Sequence, residues 1–118
     1  MTDTMNDRTA AIRDLNDRFR KRDASIPGKI LITTGIQDLL AGDDQRTKAL
    51  FEAIANHDQF DGGNDPYGEH DFGAFDFDGS KVFWKIDAYA PDLMHGSEDP
   101  ADLAKTIRVL TIMLAEEY

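Results

Sequence analysis

Residues 69–89 read EHDFGAFDFDGSKVFWKIDAY, and the fold turns on them. Both halves alternate apolar and polar residues, and Asp78-Gly79-Ser80 between them has turn chemistry. The spacing therefore predicts a β-hairpin with strands over 69–78 and 81–89. Alternation also assigns faces. Gly73, Phe75 and Phe77 share one face with Val82, Trp84 and Ile86, which is the expected core face. The other face carries His70, Phe72, Ala74 and Asp76 beside Phe83, Lys85, Asp87 and Tyr89. Two registers preserve these faces. A Gly79-Ser80 loop sets Phe75 opposite Trp84 and His70 opposite Tyr89. An Asp78-Gly79 loop sets Asp76 opposite Lys81 and His70 opposite Asp87. The sequence leaves both open.

Upstream of the hairpin, residues 59–68 are rich in Gly, Asx and Pro and read as a loop. Asp43 or Asp44 caps a helix running to about His57, with Leu50, Phe51 and Ile54 facing inward. Before it, KILITT (29–34) is β-branched and reads as a short strand that joins the hairpin's sheet, ended by Gly35. Asn6–Arg22 reads as an opening helix, with Ile12, Leu15 and Phe19 on one stripe and Arg18, Arg20, Lys21 and Arg22 in its last turn. Downstream, Asp99-Pro100 reads as the start of a final helix whose stripe is Leu103, Ile107, Leu110 and Leu114. The acidic tail of that helix opposes its dipole, so the tail either frays or docks on basic residues such as the Arg18–Arg22 cluster. The expected fold is α+β, a small antiparallel sheet centred on the 69–89 hairpin and packed by three helices, in the order α-β-α-β-β-α. No linker divides the chain, so 1–118 is expected to be a single domain.

Composition narrows the function. The 118 residues carry a net charge of −10 and no cysteine, which removes disulfides, thiolate metal sites and cysteine nucleophiles. Residues 1–35 hold seven basic and five acidic side chains, whereas residues 36–104 hold four and sixteen. No Lys or Arg occurs between Lys48 and Lys81. Such a field repels phosphate backbones and disfavours direct nucleic-acid binding. It suits solubility, a cation or a basic partner. The polar stretch Met1–Arg8 shows no apolar leader core, and no run approaches the roughly 20 apolar residues of a membrane span. A cytoplasmic protein away from membranes is expected.

Several stretches carry a family resemblance: NDRFRK (16–21), LITTGI (31–36), NDPYGEHDFGAF (64–75), VFWKID (82–87) and RVLTIMLAEEY (108–118). From about residue 9 to the C-terminus the chain resembles a bacterial, mainly alphaproteobacterial family, domain of unknown function 3768. The resemblance implies that the acidic loop, the hairpin and the LAEEY tail form the family's signature, and it favours a docked tail. It also implies a mobile-element setting. It brings no activity.

Glu69, His70 and Asp71, with Asp61, Asn64 and Asp65 upstream, are the one cluster with the makings of a site. Their oxygens and imidazole suit a divalent cation, yet an extended 69–71 would point Glu69 and Asp71 away from His70, and the three converge only if the strand starts after Asp71. A His70–Asp87 dyad is a second arrangement, but no nucleophile accompanies it. Phosphate-cradling motifs are absent. Neither a catalytic residue nor a cofactor is therefore assigned. The leading expectation is a non-catalytic binding protein that presents Asp61, Asp65, Tyr67, Glu69, His70, Asp71, Phe72, Phe83, Asp87 and Tyr89 to a basic protein partner. In a mobile-element setting that partner is a nucleic-acid-binding host defence protein, masked by an acidic surface. The alternative is a metal-dependent enzyme using Glu69, His70 and Asp71. Homo-oligomerisation stays open.

Overall fold

A computed structural model describes residues 4–118; residues 1–3, part of the polar opening stretch, lie outside them. The chain runs through α1 (Thr4–Arg20), β1 (Gly28–Ile32), α2 (Thr34–Leu40), α3 (Asp44–Ala55), β2 (Phe72–Phe77), β3 (Ser80–Tyr89) and β4 (Ile107–Leu114). It is an α+β fold of three helices and one four-stranded sheet in the order β1-β4-β3-β2. The hairpin takes the Asp78-Gly79 register, with Asp76 opposite Lys81 and Phe77 opposite Ser80. Asp78 and Gly79 adopt φ of 51° and 81°, the left-handed pair that a two-residue turn of this kind needs.

The hairpin faces fall as the alternation requires. Val82 and Trp84 are fully buried, and Leu15, Phe19, Ile36, Leu40, Leu50 and Ile54 from the three helices close over them with Leu110 and Ile112. Gly73 lies directly opposite Trp84, and a Cβ at that position would land on the indole ring. This is why a glycine sits at an inward position of β2.

Two elements differ from expectation. The third helix is not the C-terminal one. Residues 107–114 form a strand instead, parallel to β1 (Gly28 opposite Arg108) and antiparallel to β3 (Trp84 opposite Ile112), so the sheet is mixed. As a central strand, β4 is apolar on both faces, and IRVLTIML satisfies a helical period almost as well as a strand one. Asp99 forms an Asx turn onto the Ala101 amide, and Asp102 caps only a single 3-10 turn, Leu103–Lys105. The remaining helix is α2. Thr33 leaves the strand and accepts a hydrogen bond from the Ile36 amide, and Ile36 and Leu40, one turn apart, are buried.

All three helices pack on the Trp84 side. Among the described residues no helix covers the opposite face, where Phe72 and Phe83 meet edge-to-face with their ring centroids 5.1 Å apart. Tyr118 returns over them, with its ring 6.1 Å and 5.7 Å from theirs. The tail is thus docked, but not on the basic turn of α1. Glu117 accepts hydrogen bonds from the Thr33 hydroxyl (2.6 Å) and from the Gly35 and Leu114 amides, with the Thr33 bond leading the effects that hold its carboxyl below the usual range. Arg18 pairs instead with Asp23 and Asp14.

Candidate functional site

The inward face of α1 contains more than Ile12, Leu15 and Phe19. Asn16 and Arg20 complete the helical stripe and are buried with them. Arg20 donates to the carbonyls of Ile54 (2.7 Å) and His57 (3.2 Å) at the end of α3, where the helix dipole favours a cation, and to Asp17 (2.7 Å). Its guanidinium lies over Trp84 and Phe60. Asn16 donates to the Glu69 carbonyl (2.9 Å) and accepts from Arg108 Nε (2.7 Å). Arg108 is fully buried on β4. It donates also to the Pro100 carbonyl, and its Nη1 has no hydrogen-bond partner among the described residues. Burial pushes its pKa down, while Glu69 opposes that shift.

These anchors hold the 56–71 segment across one end of the sheet. Asp61 builds a local turn, accepting from the Gly63 and Asn64 amides, and stays exposed. Asp65 is buried and accepts from the His70 amide at 3.1 Å. Tyr67 is 77% exposed. Arg13 donates to the Gly68 carbonyl at 3.0 Å. The hairpin ladder ends where the Ile86 amide meets the Asp71 carbonyl.

At His70 the backbone turns to φ 54°, so the imidazole leaves the strand. Register places it level with Asp87, but the expected His70–Asp87 pair does not form. Lys85 holds Asp87 at 2.8 Å, and His70 Nδ1 lies 2.8 Å from Asp17 Oδ1 on α1. The ring stacks on Phe60 with centroids 3.8 Å apart and planes at 5°. A cavity of about 430 Å³ opens there, walled by His70, Phe60, Asp17, Arg20 and His57. Burial holds the His57 imidazole below its ordinary range. Asp17, Arg20, His57 and Phe60 belong to this site although the sequence pattern assigns none of them to it; the one local signal is the inward helical position of Arg20.

Glu69, His70 and Asp71 do not converge. Among the described residues no three His, Cys, Asp or Glu side chains gather as metal ligands. Glu69 and Asp71 share another property: the pKa of each is raised, first by burial and then by neighbouring carboxylates. For Glu69 these are Asp71 and Asp65; for Asp71, Asp65 and Asp87. Among the described residues neither has an ion-pair partner within 4.0 Å. Asp65, Glu69, Asp71 and Asp87 therefore lie together at one end of the sheet. Tyr89, half-buried, closes β3 at the same end, bridged to Gly96. Phe72, opposite Lys85, and Phe83, opposite Met113, lie on the open face.

Fold and site thus describe a small α+β domain with a concentrated acidic end. A family model, Protein of unknown function (DUF3768), matches residues 32–117, and the chain belongs to that family. The match begins at the last residue of β1 and leaves out α1. No curated protein and no solved structure matches the chain. No helix among the described residues is long and apolar enough to cross a membrane.

Proposed function

We propose that the chain is a non-catalytic binding protein whose acidic end takes a basic protein partner. One observation carries the reading: Glu69 and Asp71 are partly buried, mutually repelling carboxyls without an ion-pair partner among the described residues. A Lys or Arg side chain from a partner would relieve that repulsion, so the strain of the free surface becomes affinity in the complex. Exposed Tyr67 offers an aromatic anchor beside the carboxylates, and Phe72 and Phe83 continue the surface onto the open face. The partner class that fits is a protein whose basic groove ordinarily holds nucleic-acid phosphates, with the carboxylates standing in for them. In a bacterial mobile-element setting this is a host defence protein, masked in the cytoplasm.

A nuclease-treated pull-down from bacterial lysate tests the reading. A basic protein retained at low salt, released at high salt and lost with Glu69→Gln/Asp71→Asn would support it. Retention indifferent to both salt and substitution would remove it. Asp65 is left intact in this variant because it is part of the fold.

A further inference from the structure

His70 joins the acidic segment to the body of the domain, and both of its ring nitrogens face carboxylates. Nδ1 is 2.8 Å from Asp17 Oδ1, and Nε2 is 3.8 Å from Asp65 Oδ2. A neutral imidazole carries one N–H and an imidazolium two. The short contact to Asp17 takes the first proton. The second decides whether Nε2, at ion-pair rather than hydrogen-bond distance, faces the Asp65 carboxylate as part of a cation or with a lone pair. We propose that His70 is a proton-operated latch: protonated, it clamps residues 65–71 onto α1 in the arrangement that presents the acidic end, and neutral, it lets the Asp65 side go. This rests on the reading of that end as the partner-binding surface.

The surrounding groups make the Asp65 side the responsive one. From α1, Arg20 shares Asp17 Oδ1 at 2.7 Å and keeps that carboxylate in place whatever His70 does; Lys21 stands at the cavity wall. From the end of α3 come Asp58 and His57, and burial disfavours a charge on the latter. Within the segment, Asp65 also holds the His70 amide, and Asp71 is drawn to a charged His70 while repelled by Asp65. Loss of the His70 charge therefore removes the Asp65 contact and strengthens carboxylate repulsion together. Both effects loosen the same residues. The positive φ at His70 has no glycine to ease it, so the turn depends on these contacts. The open cavity gives solvent protons a route to the ring.

Amide exchange of residues 65–71, corrected for intrinsic rates and referred to β3, would be followed at about pH 6 and about pH 8. The wild type should lose protection several-fold at the higher pH. His70→Gln, which retains a donor for Asp17, and Asp65→Asn, which retains an acceptor for the His70 amide, should each show no such pH dependence. Asp65→Asn alone decides the matter if His70→Gln does not fold. Equal wild-type protection at both pH values, or the same loss in a folded variant, overturns the latch. Binding of poly-L-lysine separates the two ideas. PH-dependent protection without poly-L-lysine binding upholds the latch and sinks the acidic-end reading; binding with pH-independent protection does the reverse.

Discussion

The two faces of the β2–β3 hairpin are made by alternate residues of the same strands, yet they have opposite characters. On one face, Val82 and Trp84 are sealed by three helices and Gly73 is kept small for the indole. On the other, Phe72 and Phe83 meet each other and Tyr118, itself 76% exposed. The covered face holds the fold, and the open face keeps Phe72 and Phe83 only half-buried. Polar anchoring follows the same division: Arg20, Asn16 and Arg108 lie on the helix side and tie the acidic segment down from within.

If that division is right, substitutions should separate by face. The largest effect belongs to Trp84→Ala, which empties the centre of the covered face and should lower unfolding free energy by about 3–5 kcal/mol. Chemical denaturation would measure it; a loss close to that of an open-face truncation would break the comparison. At the junction of the two regions, the titratable groups should oppose one another. Burial depresses the His57 pKa, so its contribution to stability is present above its unfolded pKa and is lost as pH falls through that range. Glu69 and Asp71 have raised pKa values, so stability is gained as pH falls and they take up protons. Glu69→Gln/Asp71→Asn should accordingly raise the melting temperature at neutral pH, with the advantage vanishing below the ordinary carboxylate range. A constant offset at every pH would contradict the assigned cause. The smallest effect is expected from Tyr118→Ala. It removes two exposed edge-to-face contacts and should cost about 0.5–1 kcal/mol at most, while making Phe72 and Phe83 more accessible to an apolar dye.

Much of the covered face was legible in the sequence, because strict alternation admits only one division of the hairpin residues. The α1 stripe and the Asp43 cap on α3 were legible for the same local reasons. Failures began where a signal was not local. Leu110 and Ile112 face the helices while Val109 and Met113 are buried on the other side, so β4 shows no polar face to fix its period. α2 is too short for periodicity to reveal. At the site, Glu69, His70 and Asp71 were visible as a cluster, but their partners were not. Asp17 lies 53 positions before His70, and nothing local to 69–71 announces it. Arg20 is visible as a charge in a basic turn, and its inward position is readable from the same stripe that places Phe19.

The pairing of β1 with β4 also has a consequence for how the chain assembles. Gly28 finds Arg108, and Ile32 finds Ile112, across 80 positions of the 118-residue chain. The hairpin can close early through near neighbours, and β4 can then add to β3. β1 has no place in the sheet until β4 is there. Synthesis delivers the two strands in the unfavourable order, so α1 and β1 emerge first and wait longest. A ribosome-bound chain halted before residue 107 should hold a hairpin but not the four-stranded sheet, with the apolar stripe of α1 still lacking the Arg108 strand on which it rests.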